Sequence, residues 1–159
     1  MIKTGAKILN ELSTEAKGSA RQRKNHNFHQ GEHEVLQRML NALCPGTYIR
    51  PHKHSDPGKN EIFIILRGRT LVVEFDDNGH ISDHIILDKA TENYTAEIPP
   101  GRYHTIIALE AGSVVYEIKE GPYCQATDKN FAPWAPEEGG DGAAAFLQKV
   151  FDQLCIRFQ

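Results

Sequence analysis

The sequence predicts one mainly β domain, a sandwich or barrel, with a short helix at each end. Three observations carry that prediction. Between residues 46 and 120, short runs rich in β-branched and aromatic residues follow one another closely: EIFIILRG, RTLVVEF, HISDHIILD, TAEIPPG, YHTIIALE and SVVYEIKE. Turn signals punctuate them at Ser55-Asp56-Pro57-Gly58, Gly68, Asp77-Asn78-Gly79, Pro99-Pro100-Gly101 and Ala111-Gly112. No long stretch of helical period interrupts the series, so a parallel α/β sheet is not expected.

Taken in order, residues 3 to 17 read as a short amphipathic helix with Ile8, Leu9 and Leu12 on one side. Residues 21 to 34, RQRKNHNFHQGEHE, are polar and rich in basic and imidazole groups. If extended, they put Arg21, Arg23, Asn25, Asn27 and His29 on one parity. VLQRMLNAL, residues 35 to 43, has Val35, Leu36, Met39, Leu40 and Leu43 at helical spacing, yet the run is short and stops at Cys44-Pro45-Gly46. TYIRPHKH is extended, because a proline biases its predecessor toward β or polyproline II. After residue 120 the chain is irregular, and it closes in a helix capped by Asp141 or a neighbour, with Phe146, Val150, Phe151 and Leu154 on one face. The expected organisation is an N-terminal helix and basic arm over 1–34 packing on a barrel of 35–123, then a loop and helix over 124–159, all in one domain.

With a formal charge of −3, the 159 residues carry no basic footprint, which argues against a nucleic-acid or membrane-surface partner. No apolar run has signal-peptide or membrane-spanning character. Three widely spaced cysteines, Cys44, Cys124 and Cys155, read as reduced thiols, so a cytoplasmic location is expected.

The chemistry concentrates in residues 45 to 68. His52 and His54 are two apart in an extended segment, so both point to one side. A turn over residues 55 to 60 brings Glu61, at the head of the next apolar run, toward the same point. His104 follows Pro99-Pro100-Gly101 at the start of another strand and closes the set. A site of three imidazoles and one carboxylate suits a divalent zinc, iron, manganese, nickel or copper ion, whereas calcium and magnesium want more oxygen. A single strand histidine is more often solvent-facing, and His26, His29, His33, His80 and His84 are read mainly that way. The four differ because spacing, strand context and turn chemistry agree.

Around that point, Arg50 shares the parity of His52 and His54, and Phe63, Ile65 and Arg67 share that of Glu61. Arg21, Arg23, His29 and Arg50 are candidates to hold a carboxylate or phosphate, which a guanidinium fork fits; the alternative is a solvated edge that discourages sheet aggregation. Tyr103 is either a pocket acid or a packing aromatic. Trp134, between Ala132-Pro133 and Ala135-Pro136, is either a lid with a sugar-stacking face or a plug on the barrel's flank. Glu137 and Glu138 are acid/base candidates or a solvated loop.

Gly46, His52, His54, Glu61 and Gly68 resemble the first cupin motif, and Pro99, Gly101 and His104 the second. Six residues separate His54 from Glu61 where the motif usually has three or four, and Ala108 stands where the second motif usually ends in asparagine. Much of residues 21 to 139 looks like the WbuC-type cupin-fold metalloproteins: Arg21, Arg23 and His29, Gln37, the run Thr47 to His54, Phe75-Asp76-Asp77, Lys119 to Tyr123 and Phe131 to Gly139. The resemblance implies a cupin, a double-stranded β-helix or jelly-roll barrel of six to eight strands with the metal inside. It also implies that residues 35 to 43 form a strand leading into the first motif. Members of that group often sit among genes for bacterial surface-polysaccharide (O-antigen) synthesis.

Two classes of function remain open on the residues alone. One is an enzyme acting on a small polar metabolite such as a sugar or nucleotide sugar, as an isomerase or epimerase or, with a redox-active ion, a dioxygenase. The other is a non-catalytic, metal-dependent carbohydrate-binding or sensing module. The expected partners are a small anionic or sugar-like ligand and a second copy of the chain, since cupins commonly cover sheet edges in a homodimer.

Overall fold

The computed structural model of the protein describes residues 1–156. Helix α1 (Ala6–Gly18) comes first, followed by β1 (Arg23–Asn27), β2 (Leu36–Leu43), β3 (His52–Lys53), β4 (Glu61–Arg67) and β5 (Arg69–Phe75). Then come β6 (Ile81–Asp88), β7 (Thr95–Ile98), β8 (Tyr103–Ala108), β9 (Ser113–Glu120), β10 (Asn130–Phe131) and α2 (Ala143–Gln153). The strands form two antiparallel five-stranded sheets, ordered β1-β2-β9-β4-β7 and β10-β3-β8-β5-β6. This is the mainly β, cupin-like architecture that the sequence predicts, with a helix at each end. Each sheet also takes a strand from a flank, β1 from the basic arm and β10 from the segment after residue 123.

Three apolar clusters build four layers. Between the sheets lie Leu43, Phe63, Ile65, Val72, Leu87, Ile98, Ile106 and Val115. Outside the first sheet, Leu9, Leu12 and Ala16 of α1 cover Leu40, Ala42 and Val114. Outside the second, Leu147, Val150 and Phe151 of α2 cover Leu71, Val73, Phe75 and Ile107. Strands buried on both faces lose the alternation of a half-buried strand. That is why β2 mimics helical spacing: Leu40 and Ala42 face α1, while Leu43 faces the other sheet.

Two local expectations are corrected. No side chain caps α2, whose N-cap is Gly142 rather than Asp141. Arg67 leaves the face of Glu61 because β4 bulges against β9, with Ile65 opposite Val115 and Arg67 opposite Val114. Its guanidinium reaches α1 instead, donating to Leu9 O at 2.8 Å, Asn10 Oδ1 at 2.7 Å and Ser13 Oγ at 2.5 Å. Among the described residues, no helix is long and apolar enough to cross a membrane.

Candidate metal centre

Strand pairing assembles the four sequence-predicted ligands from both sheets. β3 and β8 place His52 directly opposite His104, His54 follows two residues on, and Glu61 opens β4 across the barrel. One ligand atom from each of the four lies within 4.8 Å of the others, and none of the residues is more than 5% exposed.

The nitrogens are sorted by their partners. Nδ1 of His52 lies 3.0 Å from Arg50 O, Nδ1 of His104 lies 3.0 Å from Arg102 O, and Nδ1 of His54 contacts Asp128 O. A carbonyl only accepts, so each Nδ1 carries the hydrogen. The Nε2 atoms of His54 and His104 then meet the same oxygen, Glu61 Oε2, at 3.2 and 2.7 Å. A ring that has spent its one hydrogen on a carbonyl turns a lone pair toward that carboxylate. Only a cation shared between them, a proton or a metal ion, makes the contact attractive. The donor set therefore fits a transition ion, with each imidazole held in the Nε2-ligating tautomer by its carbonyl.

Electrostatics agree with that fit. Burial lowers the His52 imidazole well below its ordinary pKa, with Lys129 and His104 adding to the effect, so the ring is neutral, as a ligand must be. Burial works to raise the Glu61 carboxyl, but the imidazoles of His104 and His54 against its Oε2 outweigh that and hold the group well below the carboxylate range, which requires a shared cation at those contacts. Beside it, Glu117 is pushed well above that range by its own burial and by the charge and hydrogen bond of Glu61. Asn41 Nδ2 donates to Glu117 Oε2 and fixes that carboxyl in place.

His52, Glu61 and His104 front a cavity of about 390 Å³, within the size range of small-ligand sites. Arg21, Arg23, Asn25, Asn27 and His29 all line it, and so does Lys24 of the opposite parity, so the lining is not set by alternation alone. Arg23 also bonds Tyr48 O at 3.0 Å and Glu138 Oε2 at 2.5 Å, and His29 Nδ1 lies 3.1 Å from Arg38 N. Five other candidates, Arg50, Tyr103, Trp134, Glu137 and Glu138, are outside the lining. Arg50 sits on irregular backbone before β3, donates to Ala132 O at 2.9 Å and covers the Phe131 ring, so strand parity does not govern it. Tyr103 neighbours His104 in β8 and points to the opposite face, into the cluster under α2. Trp134 packs in the same cluster against Phe75, Tyr103 and Phe146, as a plug on the flank. Glu137 lies 3.9 Å from Arg50 and does not line the cavity.

Sequence reasoning missed Glu117, Lys119, Asp128 and Lys129, which also line the cavity, and Lys59 just behind it. A signal existed for two of them. Val115, Glu117 and Lys119 share one parity of β9, so two charges lie on the inward side of an apolar strand. Asp128 and Lys129 belong to an irregular segment with no periodicity to read.

Comparison with known proteins agrees with the fold. Residues 4–87 match the family model described as "Domain of unknown function (DUF6016)". No curated protein matches the chain. Among solved structures, the capsular polysaccharide assembling protein CapF of Staphylococcus aureus superposes with a TM-score of 0.56 at 21% identity, over 67% of this chain and only 28% of CapF. KdgF from Halomonas sp. gives 0.50 at 17% identity over 65% of this chain and 83% of its own. A cupin superfamily protein from Desulfitobacterium hafniense DCB-2 gives 0.50 at 15% identity, covering 69% and 86%. At these identities the likeness is one of fold. Because the family match spans more than half of the sequence, this cupin-fold chain belongs to the DUF6016 family.

Proposed function

We propose that the protein is a metal-dependent cupin of the WbuC type that acts on a small polar metabolite, anionic or sugar-like, in bacterial surface-polysaccharide synthesis. The observation that carries the metal reading is the lone-pair conflict at Glu61 Oε2, which a divalent ion held by His52, His54, Glu61 and His104 relieves. When bound, such an ion polarises a carbonyl, carboxylate or hydroxyl oxygen of the ligand.

The chain's own groups supply the rest. Arg21 and Lys129 on the cavity lining attract an anionic group, and Asn25 and Asn27 offer amides beside them. Glu117 keeps its proton through burial and the neighbouring Glu61, so it has one to give to a ligand oxygen in the cavity. Lys119 on the same wall balances the charge of the carboxylates. Phe63 and Ile106 form the apolar side that limits water. An acid group in a cavity beside the metal residues favours an enzyme over a passive binder.

The test is metal analysis of protein purified without added metal, followed by assay of sugars and nucleotide sugars for turnover. Wild type is expected to carry a transition ion, and His104→Ala to lose both the ion and any turnover. Wild type that binds no transition ion at all overturns the reading; an ion with sugar affinity and no turnover replaces the enzyme by a binding module.

A further inference from the structure

We propose that Lys59, Asp128 and Lys119 form a clasp that positions His54, so that docking of the irregular segment 122–129 sets the affinity of the metal centre. The proposal deepens the metal reading above and rests on it.

The three imidazoles are oriented by unequal means. His52 and His104 lean on carbonyls two residues back in their own chain, Arg50 O and Arg102 O, which local backbone geometry provides. His54 leans on Asp128 O, 74 positions away in the sequence. That carbonyl belongs to a stretch without helix or strand, where the turn bonds from Thr127 N and Asp128 N to Cys124 O give local order, Tyr123 N donates to Glu32 O at 2.7 Å, and β10 pairs with β3 from Asn130 on. These ties flank the Asp128 carbonyl, and its own side chain adds a direct anchor.

Asp128 Oδ1 accepts from Lys59 Nζ at 2.8 Å and its Oδ2 from Lys119 Nζ at 2.6 Å. All three side chains are at most 5% exposed. Lys59 Nζ also donates to Pro122 O at 2.6 Å, so one ammonium ties both ends of the segment to the barrel. Lys119 rises from β9 directly opposite Glu61 of β4, which connects the clasp to the ligand carboxylate. Burying three charges is costly, and an apolar plug would seal the barrel equally well. What the ions provide is a fixed position for one carbonyl, and through it one tautomer of one ligand.

Lys59→Met is the informative variant, because it leaves Lys119 and Asp128 as a buried ion pair of no net charge. Two readouts are taken. Cobalt(II) and zinc affinity is expected to fall about 10- to 100-fold, the range for loss of a group that orients a metal ligand. In nitrogen-15 spectra of the metal-free protein, the His54 ring is expected to lose its fixed Nδ1–H tautomer while His52 and His104 keep theirs, a change that general destabilisation would not confine to one ring. Asp128→Asn, which leaves the backbone carbonyl and weakens both ion pairs, is expected to act in the same direction and serves if Lys59→Met does not fold. Wild-type metal affinity with an unchanged His54 tautomer overturns the clasp. Failure of wild type to bind any transition ion instead removes the metal reading, and the tautomer readout still decides whether the clasp orients His54.

Discussion

At the scale of single residues, Tyr48 shows how burial converts into a pH dependence. Its hydroxyl donates to Pro136 O at 2.8 Å beneath α2. Burial raises its pKa well above the usual tyrosine value, with the Arg50 charge opposing and Glu138 adding. A group whose folded pKa is raised stabilises the fold fully below its unfolded value, about 10, and loses that contribution as pH climbs through the folded value. Subtracting the ultraviolet titration of Tyr48→Phe from that of wild type should give no phenolate signal where unfolded tyrosine ionises. A midpoint near the unfolded value would contradict the burial. The same scale explains which site residues are legible. His52, His54, Glu61 and His104 lie on regular strands or at their ends, where parity and turn chemistry hold. Arg50 lies on irregular backbone and Arg67 beyond a bulge, so alternation counted along the sequence points both the wrong way.

At the scale of elements, the ambiguity of residues 35 to 43 has a physical cause. β2 packs α1 on one face and the barrel interior on the other, so apolar residues of both parities occur and imitate a helix. The sequence contains no local signal for that double burial, and the resemblance to cupins supplied the strand. β1 was read only as a polar arm, because it has no core pattern to mark a strand, and Lys24 lines the cavity alongside residues of the other parity. The apolar face of α1 was legible, but its polar anchor was not, since that depends on the bulge that frees Arg67. Besides its bonds to the helix, Arg67 Nε donates to Gly112 O at 2.9 Å, so one side chain joins α1 to the β8–β9 turn. Arg67→Met keeps much of the aliphatic stem and deletes these bonds. It should cost about 1.5–3 kcal/mol, the range for hydrogen bonds to a charged group. Hydrogen exchange should quicken in α1 and remain unchanged in β8; uniform quickening would mean that the guanidinium supports the barrel instead.

At the scale of the whole molecule, the four ligands sit where the two sheets face each other. Glu61 comes from one sheet, His52 and His104 from the other, and His54 touches the segment that crosses between them. An ion bound by all four would join three parts of the chain that unfolding separates, so it would bind the native state and not the unfolded chain. Stabilisation by such a ligand follows its concentration: at a free ion level 100 times the dissociation constant it amounts to about 2.7 kcal/mol. For a domain of this size, each kcal/mol moves the melting temperature by roughly 2–4 °C. Thermal unfolding of metal-depleted protein should therefore shift upward by about 5–10 °C when zinc is supplied at that excess, and a chelator should reverse the shift. His104→Ala should abolish the response, because the remaining groups no longer enclose the ion. If the depleted protein melts at the same temperature with and without zinc, cobalt, manganese, nickel or iron(II), the four side chains do not form a metal centre.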